Sequence, residues 1–187
     1  MKDIERPIEF FESAASDTNS AREIINADSG EVYGIEIEGL KNLSFLGDFI
    51  AQFFVQGNLT MQDSELIAGV LADAPTNQRR ELAGASEYVA NLMLGFDSDD
   101  GFHSATVSYN VFGERLFTAG RRGAPDAFEQ PFHSLDMTYS WFPTDSIILK
   151  AKFQNLLDET VEIERDGVGT FEEKPGRTFA VSFKWGI

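Results

Sequence analysis

The chain has no cysteine and only two histidines, His103 and His133, among 187 residues. That excludes a disulfide framework, a thiolate metal site and a thiol nucleophile. The histidines have no partner at metal-ligand spacing. Cations are scarce: Lys and Arg number 15 against 31 Asp and Glu, for a net charge of −16. A phosphate backbone would be repelled by such a surface, which excludes nucleic acid as a partner. Long apolar runs are also missing, and none approaches the ~18 residues of a membrane helix. The first residues, Met1-Lys2-Asp3-Ile4-Glu5-Arg6-Pro7, contain no apolar core of a secretory signal. No Gly-x-Ser-x-Gly elbow and no glycine-rich phosphate loop occurs. Neither an enzyme nor a resident cofactor or metal is expected.

What is present is alternation with period two. The last ten residues place Phe179, Val181, Phe183, Trp185 and Ile187 on one face. Thr178, Ala180, Ser182, Lys184 and Gly186 lie on the other. The same pattern recurs over 32–39, 49–61, 88–96, 104–112, 134–141 and 147–155, which makes seven strands. A weaker segment, 7–12, would make an eighth. Several match the ~9–11 residues of a tilted membrane strand rather than the ~5–6 of a soluble one. Their polar faces carry Ser, Thr, Asn, Gln, Lys and Glu, as a wet interior requires. The 17 phenylalanines suit a lipid-facing surface.

The connections alternate too. Residues 13–30, 62–87, 113–133 and 158–177 are long, whereas 40–48, 97–101 and 142–145 are short. Outer-membrane barrels have long loops at one end and short turns at the other. The fold class read from the sequence is therefore all-β: an antiparallel up-and-down meander of about eight strands, part of a transmembrane β-barrel. The apolar residues 64–74 suggest one short loop helix. In this frame Phe153, Leu149, Phe183, Val181 and Tyr139 face lipid, and Lys150, Lys152, Lys184 and Asp136 face the lumen. Lys150 and Lys152 are expected to pair with carboxylates such as Asp136. Asp97-Ser98-Asp99-Asp100-Gly101 reads as a tight turn; it lacks the downstream Glu of a calcium loop. Arg79, Arg80, Arg115, Arg121 and Arg122 fall in the two longest loops. Arg115, Arg121 and Arg122 are the candidate ligand-binding residues, because Arg forks suit anionic groups such as those of an anionic ligand or of lipopolysaccharide phosphate.

Three local motifs carry a family resemblance. They are Asn26-Ala27-Asp28-Ser29-Gly30-Glu31-Val32-Tyr33-Gly34-Ile35-Glu36, Asn155-Leu156-Leu157-Asp158 and Pro175-Gly176-Arg177-Thr178-Phe179. In this order and spacing they resemble the C-terminal barrel region of TonB-dependent outer-membrane receptors. The resemblance covers nearly the whole chain. It implies that residues 1–187 are the C-terminal portion of such a barrel, with no plug domain, in the Gram-negative cell outer membrane. It also implies energised uptake of a scarce nutrient, such as a metal chelate or large organic ligand, with no transport by the chain alone. The implied partners are outer-membrane lipid and lipopolysaccharide, the remainder of the barrel and the plug. TonB would be reached only through absent N-terminal parts. The family has about twenty-two strands, and this chain has room for about eight. Its end at Ile187 departs from the family's terminal aromatic. A self-contained eight-stranded barrel and a soluble lipocalin-like carrier are the alternatives.

Overall fold

A computed structural model describes residues 1–16, 19–72 and 74–186, with residues 10–16 and 19–23 described by their backbone alone. The strands in chain order are β1 (Lys2–Glu5), β2 (Ile8–Ser16), β3 (Asn19–Asn26), β4 (Ser29–Asn42), β5 (Phe53–Ile67), β6 (Arg79–Arg80), β7 (Tyr88–Asp97) and β8 (His103–Phe112). They continue with β9 (Arg115–Thr118), β10 (Ala127–Glu129), β11 (Phe132–Thr144), β12 (Ile147–Gln154), β13 (Val161–Arg165), β14 (Val168–Glu173) and β15 (Thr178–Trp185). Two 3-10 turns, Ser44–Leu46 and Asp48–Gln52, link β4 to β5. Among the described residues there is no α-helix.

The main sheet runs in the order β1-β4-β5-β7-β8-β11-β12-β15, with β6 added to the end of β5. Every pairing is antiparallel between strands adjacent along the meander. The sheet does not close on itself: β1 and β15 are its two edges. The seven clear strands of the sequence are all there. The eighth is a correction. Residues 8–16 pair with β3 in a hairpin outside the main sheet, and β1 takes the edge position beside Ser29–Val32. The expected helix at 64–74 is a second correction. Strand β5 continues through Ile67, because its register with β4 runs unbroken from Phe54 to Ile67.

Directly paired residues share a face, so the register shows both sides of the wall. One row reads Leu59, Ala90, Val111, His133; the next reads Gly57, Leu92, Tyr109, Leu135; then come Val55, Leu94, Val107, Met137, Phe153 and Phe179. This apolar face is bare. Ile35 is 71% exposed and Phe183 62%, with nothing packed over them. Rings border it at both ends. Tyr33, Tyr88 and Tyr109 stand toward the long loops, and Phe53, Phe96, Tyr139, Trp141 and Trp185 toward the short turns. From Phe53 to the Tyr33–Asp63 pair is ten residue steps on β5, roughly 33 Å of strand and about 25 Å of height at the usual barrel tilt. That is the height of the lipid-facing band of an outer-membrane barrel, flanked by aromatic girdles. Both histidines lie on this face, and each meets a tyrosine hydroxyl. His103 Nδ1 is 2.7 Å from Tyr139 and His133 Nδ1 is 2.6 Å from Tyr109.

The opposite face is polar. Glu38, Asn58, Asn91, Asn110 and Ser134 form one row, and Asn91 donates to Asn58 at 2.6 Å. Phe54 is one of the apolar residues on this face, with Met93 and Phe112, and its ring lies over Gly95, where an added Cβ would come within 2.1 Å of it. This sidedness sets an expected outcome. Val107→Arg, at the middle of the apolar face, should destabilise the folded protein in bilayers by roughly 2–4 kcal/mol. Ser108→Arg, one residue on and facing the lumen, should change it little. Urea unfolding, in lipid vesicles, of the complete barrel that carries these strands measures both, and equal losses would contradict the assigned sides.

Candidate functional site

All three motifs lie at the rim, where the strands give way to the long loops, the second and third side by side and the first on β4, five strand intervals from β12. Asn155 holds a positive φ of 53° and is buried. Its amide donates to the Glu159 and Gly176 carbonyls at 3.3 and 3.1 Å, and its Oδ1 accepts from the Glu159 N–H at 3.0 Å. Arg177 Nε donates back to the Leu156 carbonyl at 3.1 Å. The Asn-Leu-Leu-Asp and Pro-Gly-Arg motifs are thus the two sides of one neck, closing the β12–β15 loop. The first motif does the same for the β2–β3 hairpin. Asn26 donates to the Arg6 carbonyl at 2.9 Å, and the Asp28 N–H reaches the Ile67 carbonyl at 2.9 Å. A small core of Ala27, Leu66, Ala68 and Ala72 lies beneath. Gly34 fits because a Cβ there would stand 2.6 Å from the Met61 carbonyl.

Beyond the rim the four long segments interlock. Arg80 reaches across to Glu9 on β2 with Nε at 3.1 Å and a closer Nη2 contact, and both side chains are almost fully buried. The 68–87 and 113–131 loops are stitched by Thr76 N–H to the Gly120 carbonyl at 3.0 Å and Arg122 N–H to the Ala74 carbonyl at 2.9 Å. Asn77 donates to Asp126 at 2.8 Å, and Gly84 N–H to the Leu116 carbonyl at 2.8 Å. The 113–131 and 155–177 loops share a second sheet, β14-β13-β10-β9. Arg115, on β9, lies 4.0 Å from the centroid of Phe112, which is on the polar face of β8. The face of the second sheet that carries Arg115, Glu129 and Ile163 therefore continues the lumen wall outward. The result is a wall with a polar concave side, a bare apolar convex side and a structured cap at one end.

This arrangement is similar to that of solved uptake proteins. The copper transporter OprC superposes with a TM-score of 0.67 at 15% identity, over 98% of this chain and 27% of that one. The ferric yersiniabactin uptake receptor FyuA from Yersinia pestis gives 0.62 at 15% identity, over 87% and 24%. The ferric-catecholate import receptor Fiu from E. coli K12 gives 0.62 at 19% identity, over 98% and 24%. The fold is that of a TonB-dependent receptor barrel. The chain spans about a quarter of the length of these receptors. No family model and no curated protein matches its sequence.

Within this receptor-like cap the loop arginines fall where the sequence places them, but three are engaged by carboxylates. Arg115 makes a bidentate pair with Glu129 at 2.8 and 2.9 Å. Arg80 is held by Glu9, and Arg79 by Glu65 at 3.0 Å. Arg121 and Arg122 sit on the turn after β9, stitched through backbone to Pro75 and Ala74. The expected pairing of Lys150 and Lys152 with Asp136 does not form. Asp136 Oδ1 accepts instead from the Asn155 N–H at 2.9 Å and the Ser134 hydroxyl at 3.1 Å, because it belongs to the rim neck. The Asp97–Gly101 segment is a satisfied turn. Ser98 and the Phe102 N–H donate to Asp100 and hold its carboxyl below the usual range. Among the described residues no three His, Asp or Glu side chains converge as a metal site.

Glu81, in the cap, has its carboxyl pushed up, first by burial and then by the nearby Glu87 and Glu114. A carboxyl raised in the folded state favours folding below its unfolded pKa, and that contribution is lost as pH rises through the folded pKa. Glu81→Gln should therefore slow amide exchange in the 78–87 segment at pH 7 and leave it unchanged near pH 4, where the native carboxyl is protonated. Equal protection at pH 7 would contradict the shift.

Proposed function

We propose that this chain is the C-terminal portion of the wall and outer cap of an outer-membrane receptor that takes up a scarce nutrient, a metal chelate or a large organic ligand, with energy supplied through TonB. The observation that carries the reading is the wall itself. A bare apolar band about 25 Å high backs a polar concave face and is topped by interlocked loops. Lipid and lipopolysaccharide cover the convex side, and the remaining strands complete the ring and enclose the plug. The chain transports nothing alone, because an open wall encloses no passage. The 113–131 loop meets anionic groups first, through Arg115, Arg121 and Arg122, of which Arg115 also pairs with Glu129. Two features speak against the rival readings. A self-contained barrel would pair β1 with β15, and a soluble carrier would turn Phe183 inward.

Membrane fractionation of cells carrying the intact gene tests the proposal. The chain should sediment with the outer membrane, resist alkaline carbonate and shift its gel mobility on boiling, as barrels do. Recovery in the soluble fraction would overturn it.

A further inference from the structure

We propose that the β4–β5 turn is a binding site for an anionic phospholipid headgroup in the leaflet opposite the cap. The Lys41 ammonium meets the phosphate, and Phe45, Leu46 and Phe49 are seated at the boundary of head and chain. The inference rests on the barrel-wall reading above and adds a site of defined lipid chemistry at the end of the wall that the long loops do not reach.

Three connections lie at that end: β4–β5, β7–β8 and β11–β12. The β7–β8 turn is built on Asp97, Asp99 and Asp100, and the β11–β12 turn is only Asp145-Ser146. The β4–β5 turn is longer and apolar. Phe45, Leu46 and Phe49 are 65%, 57% and 83% exposed. Its conformation is nevertheless fixed. Asn42 Nδ2 donates to the Ala51 carbonyl at 3.2 Å, and the Ser44 N–H donates to Asn42 Oδ1 at 2.7 Å. Gln52 donates across to Asp99 of the neighbouring turn at 2.6 Å. The Phe49 ring then lies 6.3 Å from that of Phe53, which packs on Phe96 at the border of the apolar face. The turn therefore extends the lipid-facing band past the strand ends, and rings at that level lie at the boundary of head and chain.

Lys41 supplies the charge. It pairs in register with Val55, whose row runs on through Leu94 and Val107, so it stands on the apolar face one row inside the Phe53 border. A lysine in that position extends its ammonium toward the headgroups. Its Nζ lies 5.5 Å from the centroid of Phe45, beyond the end of the strand. Among the described residues no carboxylate pairs with it, in a chain that holds 31 acidic residues against 15 basic ones. The anion that meets an ammonium at this depth is a phospholipid phosphate. Lipopolysaccharide is not its source, because the long loops mark the opposite end of the wall. A headgroup with net negative charge suits the site, since a zwitterionic one brings a second ammonium beside the first.

Photolabelling of the complete barrel that carries these strands, reconstituted in vesicles, tests the site. Phosphatidylglycerol with a photoreactive head should label residues 41–52 in preference to the matching phosphatidylcholine. Lys41→Gln should lower that preference about fivefold, the weight of one basic residue near an anionic membrane surface. Lys41→Arg should keep it, and the gel shift on boiling shows that each variant is a folded barrel. In the same vesicles a water-soluble maleimide should modify Phe49→Cys about tenfold more slowly than Asp145→Cys on the β11–β12 turn, because a side chain at the boundary of head and chain is shielded from water. The inference is overturned if the labelling preference is the same in Lys41→Gln, or if inorganic phosphate abolishes it. It is overturned equally if Phe49→Cys reacts as fast as Asp145→Cys. Each of those outcomes leaves the outer-membrane reading standing. A chain that does not fractionate with the outer membrane overturns both.

Discussion

Expressed by itself without detergent or lipid, the chain should accumulate almost entirely as insoluble material. Two features of the sheet act together. The convex face leaves Ile35, Ile37, Phe179, Val181, Phe183 and Trp185 each more than half exposed, and a contiguous apolar surface of this kind associates in water. The sheet is also open at both ends. On one side Tyr33 to Asn42 of β4 have no strand beyond them, since β1 covers only Ser29 to Val32. On the other, β15 is paired with β12 alone. Unpaired N–H and C=O rows recruit further strands, and lipid cannot replace the lost hydrogen bonds. Detergent should therefore restore only part of the solubility: it covers the apolar face but leaves the edges. Sedimentation after lysis, followed by refolding trials with and without detergent, measures this. A monodisperse, sheet-rich monomer in detergent-free buffer would refute it.

The membrane wall was legible because period-two alternation is imposed residue by residue. Phe179, Val181, Phe183 and Trp185 face one way in the sequence and in the structure, and the register continues their face across the neighbouring strands. Loop length was legible for a similar reason, since a meander must send alternate connections to opposite ends. The cap was less so. Strands β9, β10, β13 and β14 are short, and none completes enough periods to stand out. One signal was available: Asp166-Gly167, both at positive φ, forms the turn between β13 and β14 that an Asp-Gly pair favours. The partners of the charged loop residues could not be read at all. Arg80 and Glu9 are 71 residues apart, and neither local propensity nor period links them. The Asp136 pairing failed on the same ground, because the rim neck that claims Asp136 is built from Asn155, a separate part of the chain.

Loss of the Arg80 side chain should have the largest effect of any single change in the cap. Arg80 and Glu9 keep only 3% and 2% of their side-chain surface exposed. Arg80 is also fixed by Nη1 to the Asn77 carbonyl at 2.8 Å. In Arg80→Ala, Glu9 remains in a buried position with its charge uncompensated, and breaking a buried pair in this way costs about 3–5 kcal/mol. That exceeds the ~1 kcal/mol of a typical exposed pair, such as Arg79 with Glu65, whose side chains are 69% and 51% exposed. The loss should be local. Glu9 lies in the β2–β3 hairpin and Arg80 in the 68–87 loop, so the damage falls on the contact between them and not on the ladder from β4 to β15. Local opening of this kind appears as faster amide exchange and faster protease cleavage. Both should rise in residues 74–82 of Arg80→Ala while β7, β8 and β11 keep their protection. Replacing the pair together, with Arg80→Met and Glu9→Leu, should recover most of the loss, because no buried charge is then left unmatched. If the single change leaves exchange at 74–82 unaltered, or if the double change is worse than the single, the buried pair does not hold the cap together.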